Sequence, residues 1–291
     1  MLAFALVAVL ALGTFGLVGC GGQEEPAETP SGEEPADELS GAISVEGSDT
    51  MVNIGQAWAE EFMAENPGVM VTIKGGGSGG GIAALMNGTV DFANSSRAIK
   101  DEEIEEAKSL GVDPVKHEIA IDAIAVIVNP ENPVQELSME DLGRIYRGEV
   151  TNWKDIGGPD QNIVLLSRDT SSGTYEYFKE EVVASEDENA ELATSAQLLG
   201  STQAIVEEVT GNEWAIGYVG LGYLTDSVEV VAIDGVLASV DTAKDASYPL
   251  SRYLYMYSNG EATGVMAAYL EWILGDAGQA IVVDQGFVPV D

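Results

Sequence analysis

The chain has 291 residues, of which 45% are hydrophobic, which is enough for one large domain or two medium-sized ones with well-formed cores. It carries 49 acidic against 12 basic residues, a formal net charge of −37 at neutral pH. This excess of negative charge argues against nucleic acid or anionic lipid as a binding partner. It predicts an acidic, highly soluble surface and fits adaptation to high salt, where the screening length falls to about 3 Å at 1 M.

The first 40 residues differ in composition from the rest. Residues 1–19 are uncharged and largely apolar, with small residues directly before Cys20, the only cysteine. This arrangement resembles the lipobox of secreted lipoproteins, so we interpret residues 1–20 as a signal peptide with a lipobox rather than a retained anchor helix, and Cys20 as the lipidation site. Residues 21–40 hold seven acidic residues, three prolines and no basic residue. We predict that they form a disordered acidic tether between the membrane and an extracytoplasmic body.

From residue 42 onward, short apolar runs alternate with helical patterns, which is typical of an α/β fold with mostly parallel strands. The glycine run at 75–81 is predicted to be a loop. We predict strands at 43–46, 69–74, 90–93, 119–128, 162–167 and 251–258, and helices at 52–65, 82–87, 101–110, 174–183 and 264–274, with helices and a turn over 137–153. Segments 203–209, 215–219 and 228–233 continue the alternation.

Two of the predicted strands are long enough to carry the chain between two parts of the molecule. The run at 119–128 is almost continuously apolar and rich in β-branched residues, as expected for a buried strand. The strand at 251–258 alternates tyrosines with Leu and Met and could carry the chain back. Two such crossings predict two lobes joined by a hinge: lobe 1 at 41–125 plus 253–291, and lobe 2 at 126–252.

Three segments combine Ser, Thr and Gly with the expected start of a helix. They are GSDT at 47–50, GGGSGGG at 75–81 and RDTSSGT at 168–174. Hydroxyl groups and free backbone N–H groups at helix starts bind oxyanions without a metal or a cluster of bases. In the third segment, Arg168 adds a cation able to bind an anion with two parallel hydrogen bonds. The segment NSSR at 94–97 repeats this arrangement with Arg97.

The glycine run also matches two enzyme or cofactor patterns. A dinucleotide-binding GxGxxG motif should follow the first strand, whereas these glycines follow the second. A hydrolase GxSxG motif centred on Ser78 needs a histidine base, and His117 is the only histidine in the chain. We therefore expect an anion-binding site rather than a catalytic one.

Asp49 and Asp169 lie within these anion-binding segments. A carboxylate there could orient the arginine or accept a proton from a protonated oxyanion. In the second role it would admit hydrogen phosphate and repel sulfate, which has no proton to donate at neutral pH.

Four ordered segments resemble the phosphate-binding proteins of the high-affinity phosphate ABC importer, the PstS family: GSDT at 47–50, GGGSGGGI at 75–82, VDFANSSR at 90–97 and RDTSSGTYEYF at 168–178. The resemblance runs from about residue 43 to the C-terminus. It implies a type II periplasmic binding-protein fold, with two α/β lobes that close on dehydrated phosphate.

By motif position, the resemblance implies ligand contacts from Thr50, the Met51 amide, Ser78, Arg168, Ser172, Gly173 and Thr174. The family's well-studied members place an Asp in the third segment where this chain has Ser96. Asp49 is then the substitute proton acceptor, and Arg97 a second cationic contact. The neighbouring residues Ser48, Gly79 and Ser95 complete the candidate ligand-binding set.

The expected function is therefore capture of inorganic phosphate for delivery to an ABC permease. We expect a monomer with no cofactor, metal site, catalytic residue or nucleic-acid partner. Two alternatives remain: a receptor of the same architecture for sulfate, molybdate or tungstate, and an extracellular serine hydrolase or phosphatase that uses Ser78.

Overall fold

The structure is a computed structural model, and it describes residues 39–290. The predicted signal peptide with Cys20, and the predicted tether up to residue 38, lie outside these residues. The first strand begins at Ser40, the last residue of the predicted tether.

The described region alternates strands and helices along its whole length. The strands are β1 (Ser40–Gly47), β2 (Gly68–Lys74), β3 (Phe92–Ser95), β4 (Pro114–Val128), β5 (Glu136–Leu137), β6 (Val164–Arg168), β7 (Gln197–Leu199), β8 (Ala215–Gly220), β9 (Glu229–Ile233) and β10 (Ser251–Asn259). The helices are α1 (Val52–Glu65), α2 (Gly77–Met86), α3 (Asp101–Ser109), α4 (Met139–Tyr146), α5 (Gly173–Phe178), α6 (Thr202–Gly211), α7 (Val240–Lys244), α8 (Val265–Leu274) and α9 (Asp276–Asp284).

The strands form a mixed sheet with the order β2-β1-β3-β10-β4-β8-β6-β7. β1 runs parallel to β2 and β3, and β6 runs parallel to β7 and β8. The antiparallel strand β4 pairs with β10 as far as Ala123 and with β8 from Ile124 onward. We call the part built on β1, β2, β3 and β10 the first lobe, and the part built on β6, β7 and β8 the second lobe. The predicted two-lobed α/β architecture is confirmed.

Two large hydrophobic clusters stabilise the two lobes. The cluster of the first lobe includes Trp58, Phe62 and Tyr269, and that of the second includes Trp153 and Phe178. β4 contributes to both clusters, since its residues from 123 to 128 are fully buried in the second and Ile119 and Ala120 in the first. The apolar run that marked this strand in the sequence thus reflects burial in two successive cores.

The prediction that the glycine run is a loop is wrong, because α2 begins at Gly77 rather than at residue 82. Close packing against the end of β1 explains the helix. A Cβ atom on Gly81 would contact the Glu46 carbonyl oxygen and lie 2.6 Å from the Gly47 Cα. Glycine is a poor helix former, but here its missing side chain lets the helix backbone approach the strand directly, so tertiary packing outweighs local propensity.

Two further differences concern helices. The helix predicted over 174–183 begins at Gly173 and changes to a π-helical turn at Lys179–Val183. The helix α9 at Asp276–Asp284 was not predicted, because its small and polar residues give a weak apolar pattern. Among residues 39–290, every helix is too short or too polar to cross a membrane.

Candidate functional site

The predicted anion-binding segments lie where strands end. A 3₁₀ turn at Asp49–Met51 follows β1 and leads into α1, and α2 begins three residues after β2. Ser96 follows β3 directly, while Arg168 is the last residue of β6 and α5 begins five residues later. Because β1, β2 and β3 are parallel, their carboxyl ends meet at one edge of the sheet, which is where open α/β sheets bind ligands.

Four hydroxyl groups from both lobes meet at this edge, and we call Thr50, Ser78, Ser96 and Thr174 the hydroxyl cluster. The Oγ1 atoms of Thr50 and Thr174 are 2.8 Å apart across the lobes. Ser96 Oγ lies 3.3 Å from Ser78 Oγ and 3.4 Å from Thr174 Oγ1. All four residues are buried. Buried hydroxyls need partners, and each can also donate a hydrogen bond to an anion.

Arg168 is 1% exposed, and it is linked to the hydroxyl cluster through Asp49, the residue before Thr50. Its Nη2 donates to Asp49 Oδ2 at 2.8 Å, and its Nη1 donates to Thr202 Oγ1 at 2.8 Å. The carbonyl oxygens of Leu199 and Gly200 accept two more of its hydrogen bonds. Arg168 is therefore held rigidly by partners from both lobes, with Asp49 contributed by the first.

Asp49 in turn connects several parts of the site. Its Oδ2 accepts a second hydrogen bond from the Gly77 backbone N–H at 3.1 Å, so it ties the start of α2 to Arg168. Its backbone oxygen accepts from the Tyr223 hydroxyl at 2.7 Å. Burial, with the nearby Asp49 charge, raises the pKa of Tyr223 to about 12, so this phenol stays protonated and donating. The Asp49 carboxylate is placed to orient Arg168.

The second lobe contributes the start of α5 to the site. Ser172 caps this helix, accepting from the Thr174 and Tyr175 backbone N–H groups at 3.2 and 3.3 Å. Gly173 packs directly against Ser78 and Ser96 of the first lobe. The Gly79 backbone N–H donates to the Ser171 carbonyl at 3.1 Å, again across the lobes.

The remaining predicted site residues lie around this centre. The Met51 N–H donates to the Ser48 carbonyl at 3.1 Å, and the Ser48 N–H donates to Asn94. The Ser95 hydroxyl donates to the Arg97 carbonyl at 2.7 Å, which shapes the turn after β3.

Arg97 differs from Arg168, because the carboxylate that its guanidinium group binds belongs to α3 and not to the predicted site. Both Nη atoms bind Glu103, at 2.7 and 2.6 Å. Burial raises the pKa of Glu103, but hydrogen bonds from Arg97 and the Lys100 backbone outweigh this effect and lower the pKa overall. The structure therefore does not join Arg97 to the hydroxyl cluster by a hydrogen bond.

An ion pair not predicted from the sequence contacts Thr174 of the cluster. Asp122 Oδ2 accepts from Arg252 Nε and Nη2 at 3.2 and 2.9 Å, and Arg252 Nη2 also donates to Thr174 Oγ1 at 2.9 Å. Complete burial raises the pKa of Asp122, and the Arg252 charge opposes that shift. The signal in the sequence is one carboxylate inside an otherwise apolar run, since such a charge is almost never buried without a partner.

The structure offers Ser78 no histidine base, because the chain's single histidine lies elsewhere. His117 Nε2 is 2.8 Å from Ser258 Oγ, on the strand pair β4–β10. Burial lowers the pKa of His117, so the ring is mostly neutral at neutral pH. Within the region that the structure describes, no group of three or more His, Cys, Asp or Glu side chains is placed to hold a metal ion.

Comparison with known proteins identifies the family. A family model described as a PBP superfamily domain matches residues 28–277. The chain is 34% identical to the phosphate-binding protein PstS of Bacillus subtilis, covering 98% of this chain and 94% of that protein. A second PstS, from Pseudomonas aeruginosa PAO1, is 32% identical over 88% of this chain and 85% of its own length.

A solved structure from Clostridium perfringens gives the same result. It is a candidate phosphate ABC transporter substrate-binding protein with bound phosphate, 34% identical, with a TM-score of 0.79, and the match covers 86% of this chain and all of that one. The family-model match spans both lobes and all four predicted anion-binding segments. The chain belongs to the PstS family of phosphate-binding proteins, within the PBP superfamily.

Proposed function

We propose that this protein is an extracytoplasmic receptor that captures inorganic phosphate for an ABC importer. One observation carries the proposal: buried hydroxyls from two lobes meet at one point, and the buried Arg168 is bonded to Asp49, the residue before Thr50. Thr50, Ser78 and Thr174 would donate to phosphate oxygens, and Arg168 would balance their charge. Hydrogen bonds inside such a dry site are stronger than in water. The PstS relatives and the phosphate-bound neighbour support the same ligand.

Binding would depend on movement of the two lobes. We propose that residues 41–125 with 253–291 form lobe 1, that residues 126–252 form lobe 2, and that the lobes close about the crossings near 126 and 252. The contacts between Thr50 and Thr174, and between Arg168 and Asp49, support this proposal, because each joins one lobe to the other. Separation of the lobes would break these contacts and open the site to water.

We propose that the receptor performs no covalent chemistry and works as a monomer tethered outside the membrane through lipidated Cys20. An associated permease would receive phosphate from the closed receptor. The neutral, serine-bonded His117 supports a role without hydrolysis, because Ser78 lacks the base that a serine nucleophile needs.

Calorimetric titration of the purified chain with four oxyanions tests the proposed ligand. We expect one phosphate per chain and, for sulfate, molybdate and tungstate, affinities lower by about 100-fold or more, because Asp49, besides orienting Arg168, would accept a proton only from a protonated anion. The preference should persist from about pH 5 to 8, over which phosphate remains at least singly protonated.

Each alternative predicts a different result. Tighter binding of sulfate or molybdate than of phosphate would identify a receptor for that anion. Release of phosphate from a generic phosphoester would support the phosphatase alternative. Absence of binding by all four anions would contradict the proposed function.

We also propose that the acidic surface is adapted to high salt. Outside the predicted tether there are 42 acidic against 12 basic residues, whose mutual repulsion is reduced when the screening length falls from about 30 Å at 0.01 M to about 3 Å at 1 M. The melting temperature should therefore rise by several degrees between dilute buffer and molar KCl. An equal or lower melting temperature in molar KCl would contradict the proposal.

A charge-reduced variant provides the control for this measurement. The side chains of Glu60, Glu61, Glu105 and Glu106 are exposed on the outer faces of α1 and α3. Their replacement by glutamine lowers the charge repulsion without disturbing the cores. The melting temperature of this variant should therefore depend less steeply on salt than that of the unmodified chain.

A further inference from the structure

Arg252 is the second residue of β10, at the point where the two lobes meet. It is 6% exposed and lies directly opposite Asp122 in the register of β10 and β4. Asp122 Oδ1 accepts from the Leu221 N–H of the second lobe at 2.9 Å. The pair therefore lies between the lobes and beside Thr174 of the hydroxyl cluster.

The two edges of the Arg252 guanidinium have different partners. The side edge, formed by Nε and one hydrogen of Nη2, faces Asp122. The end edge, formed by Nη1 and the other hydrogen of Nη2, faces Thr174, because Nη2 also donates to Thr174 Oγ1. A guanidinium is planar, so Nη1 lies on the same edge of the group as the Nη2 hydrogen that binds the Thr174 hydroxyl.

Arg252 Nη1 is buried and has no hydrogen-bond partner among the described residues. A buried, unpaired donor on a charged group is costly, which indicates that a partner is missing at this position. Arg97 Nε is also unpaired, but its guanidinium is directed to Glu103 and makes no hydrogen bond to the cluster. Arg252 thus combines a free donor with direct contact to a site hydroxyl.

The missing partner should be an anionic acceptor. Arginine can only donate, so Thr174 Oγ1 accepts from Arg252 and its own proton remains available for a second bond. Donors from Arg252, Thr174 and the rest of the cluster therefore converge. An oxyanion with several acceptor oxygens satisfies all of them at once, whereas a neutral ligand would leave the Arg252 end edge without a charged acceptor.

We propose that Arg252 is a second cationic contact for the bound oxyanion, made through the Nη1 atom of its end edge. This inference rests on the proposed phosphate-binding function. It assigns the second cation to the strand β10 between the lobes rather than to Arg97. Asp122 holds the Arg252 guanidinium in place between the two lobes, so the anion would bind directly to a side chain at the boundary between them.

Calorimetric titration with inorganic phosphate tests the assignment in the variant Arg252→Lys. Lysine can keep the charge opposite Asp122 but has no end edge, so we expect affinity to fall by about 10- to 100-fold, as for loss of a charge-assisted hydrogen bond. The matched control is Arg147→Lys, since Arg147 is a partly buried arginine of the second lobe paired with Glu149. Its phosphate affinity should be unchanged.

The outcomes separate this inference from the proposed function. If the unmodified chain binds no phosphate, the proposed function fails. If the unmodified chain binds phosphate and a folded Arg252→Lys variant binds within about twofold of it, the second contact is overturned. Should that variant not fold, a crystal structure of the unmodified chain with phosphate decides: Nη1 within about 3.2 Å of a phosphate oxygen supports the inference, and a longer distance overturns it.

Discussion

Replacement of Arg168 by alanine is expected to weaken phosphate binding by about 10²- to 10³-fold, because truncation of one partner in a buried, hydrogen-bonded charge pair costs about 2 to 5 kcal/mol and 1.4 kcal/mol is a factor of ten. The loss has two parts. The anion would lose a cationic contact, and Asp49 would remain with a negative charge beside the site. Calorimetric titration with phosphate measures the effect.

Stability needs a separate measurement, because Arg168 also donates to Thr202 and to two carbonyl oxygens. Arg168→Gln retains part of this hydrogen bonding without the charge, and it should lose affinity while its melting temperature stays closer to that of the unmodified chain. Arg144→Ala is the control, since Arg144 forms a half-exposed surface pair with Asp141. Unchanged phosphate affinity in a folded Arg168→Ala protein would contradict the assignment of Arg168 to the phosphate site.

The fold was largely predictable because its signals are local. The helix predicted over 52–65 has those bounds in the structure, since Ile54, Trp58 and Phe62 repeat every four residues and all three are buried. The strand at 119–128 was recognisable from its continuous apolar run. In the structure this strand is longer, Pro114–Val128, because residues 114–118 also pair with β10. These residues were not predicted as strand, since their apolar and polar side chains alternate less clearly.

The glycine run shows where local signals fail. Six glycines in seven residues indicate a loop by propensity, yet α2 is helical because Gly81 must pack on the backbone of β1. That requirement comes from a strand about 35 residues earlier in the chain, so no local pattern contains it.

The composition of the site was predictable only in part, for a similar reason. The ordered motifs predict that Thr50, Ser78 and Thr174 belong to one site, because each motif is continuous in sequence. The pair of Asp122 and Arg252 is separated by 130 residues and has no motif. Only the register of β4 and β10 places the two charges opposite each other and beside Thr174.

Gly173→Ala is expected to prevent closure of the lobes while leaving each lobe folded. In the structure, an added Cβ atom would contact Ser78 Oγ and lie 2.8 Å from Ser78 Cβ and 2.9 Å from Ser96 Oγ. These atoms belong to the opposite lobe and to the hydroxyl cluster itself, so we expect the methyl group to push the lobes apart at this contact. Phosphate affinity should fall by about 100-fold, a loss at the upper end of the 1 to 3 kcal/mol typical of overpacking.

The melting temperature and the radius of gyration distinguish a variant whose lobes cannot close from one that does not fold. Alanine at the first position of α5 is compatible with a helix, so the melting temperature without phosphate should be unchanged or slightly higher. Small-angle X-ray scattering should show a decrease in radius of gyration on phosphate addition for the unmodified chain and none for the variant.

Gly211→Ala is the matched control, because Gly211 ends α6 with nothing within 4 Å of an added Cβ. If Gly173→Ala binds phosphate as tightly as this control, direct packing of Gly173 against Ser78 is not required for binding, and the proposed closure of the lobes loses its steric basis.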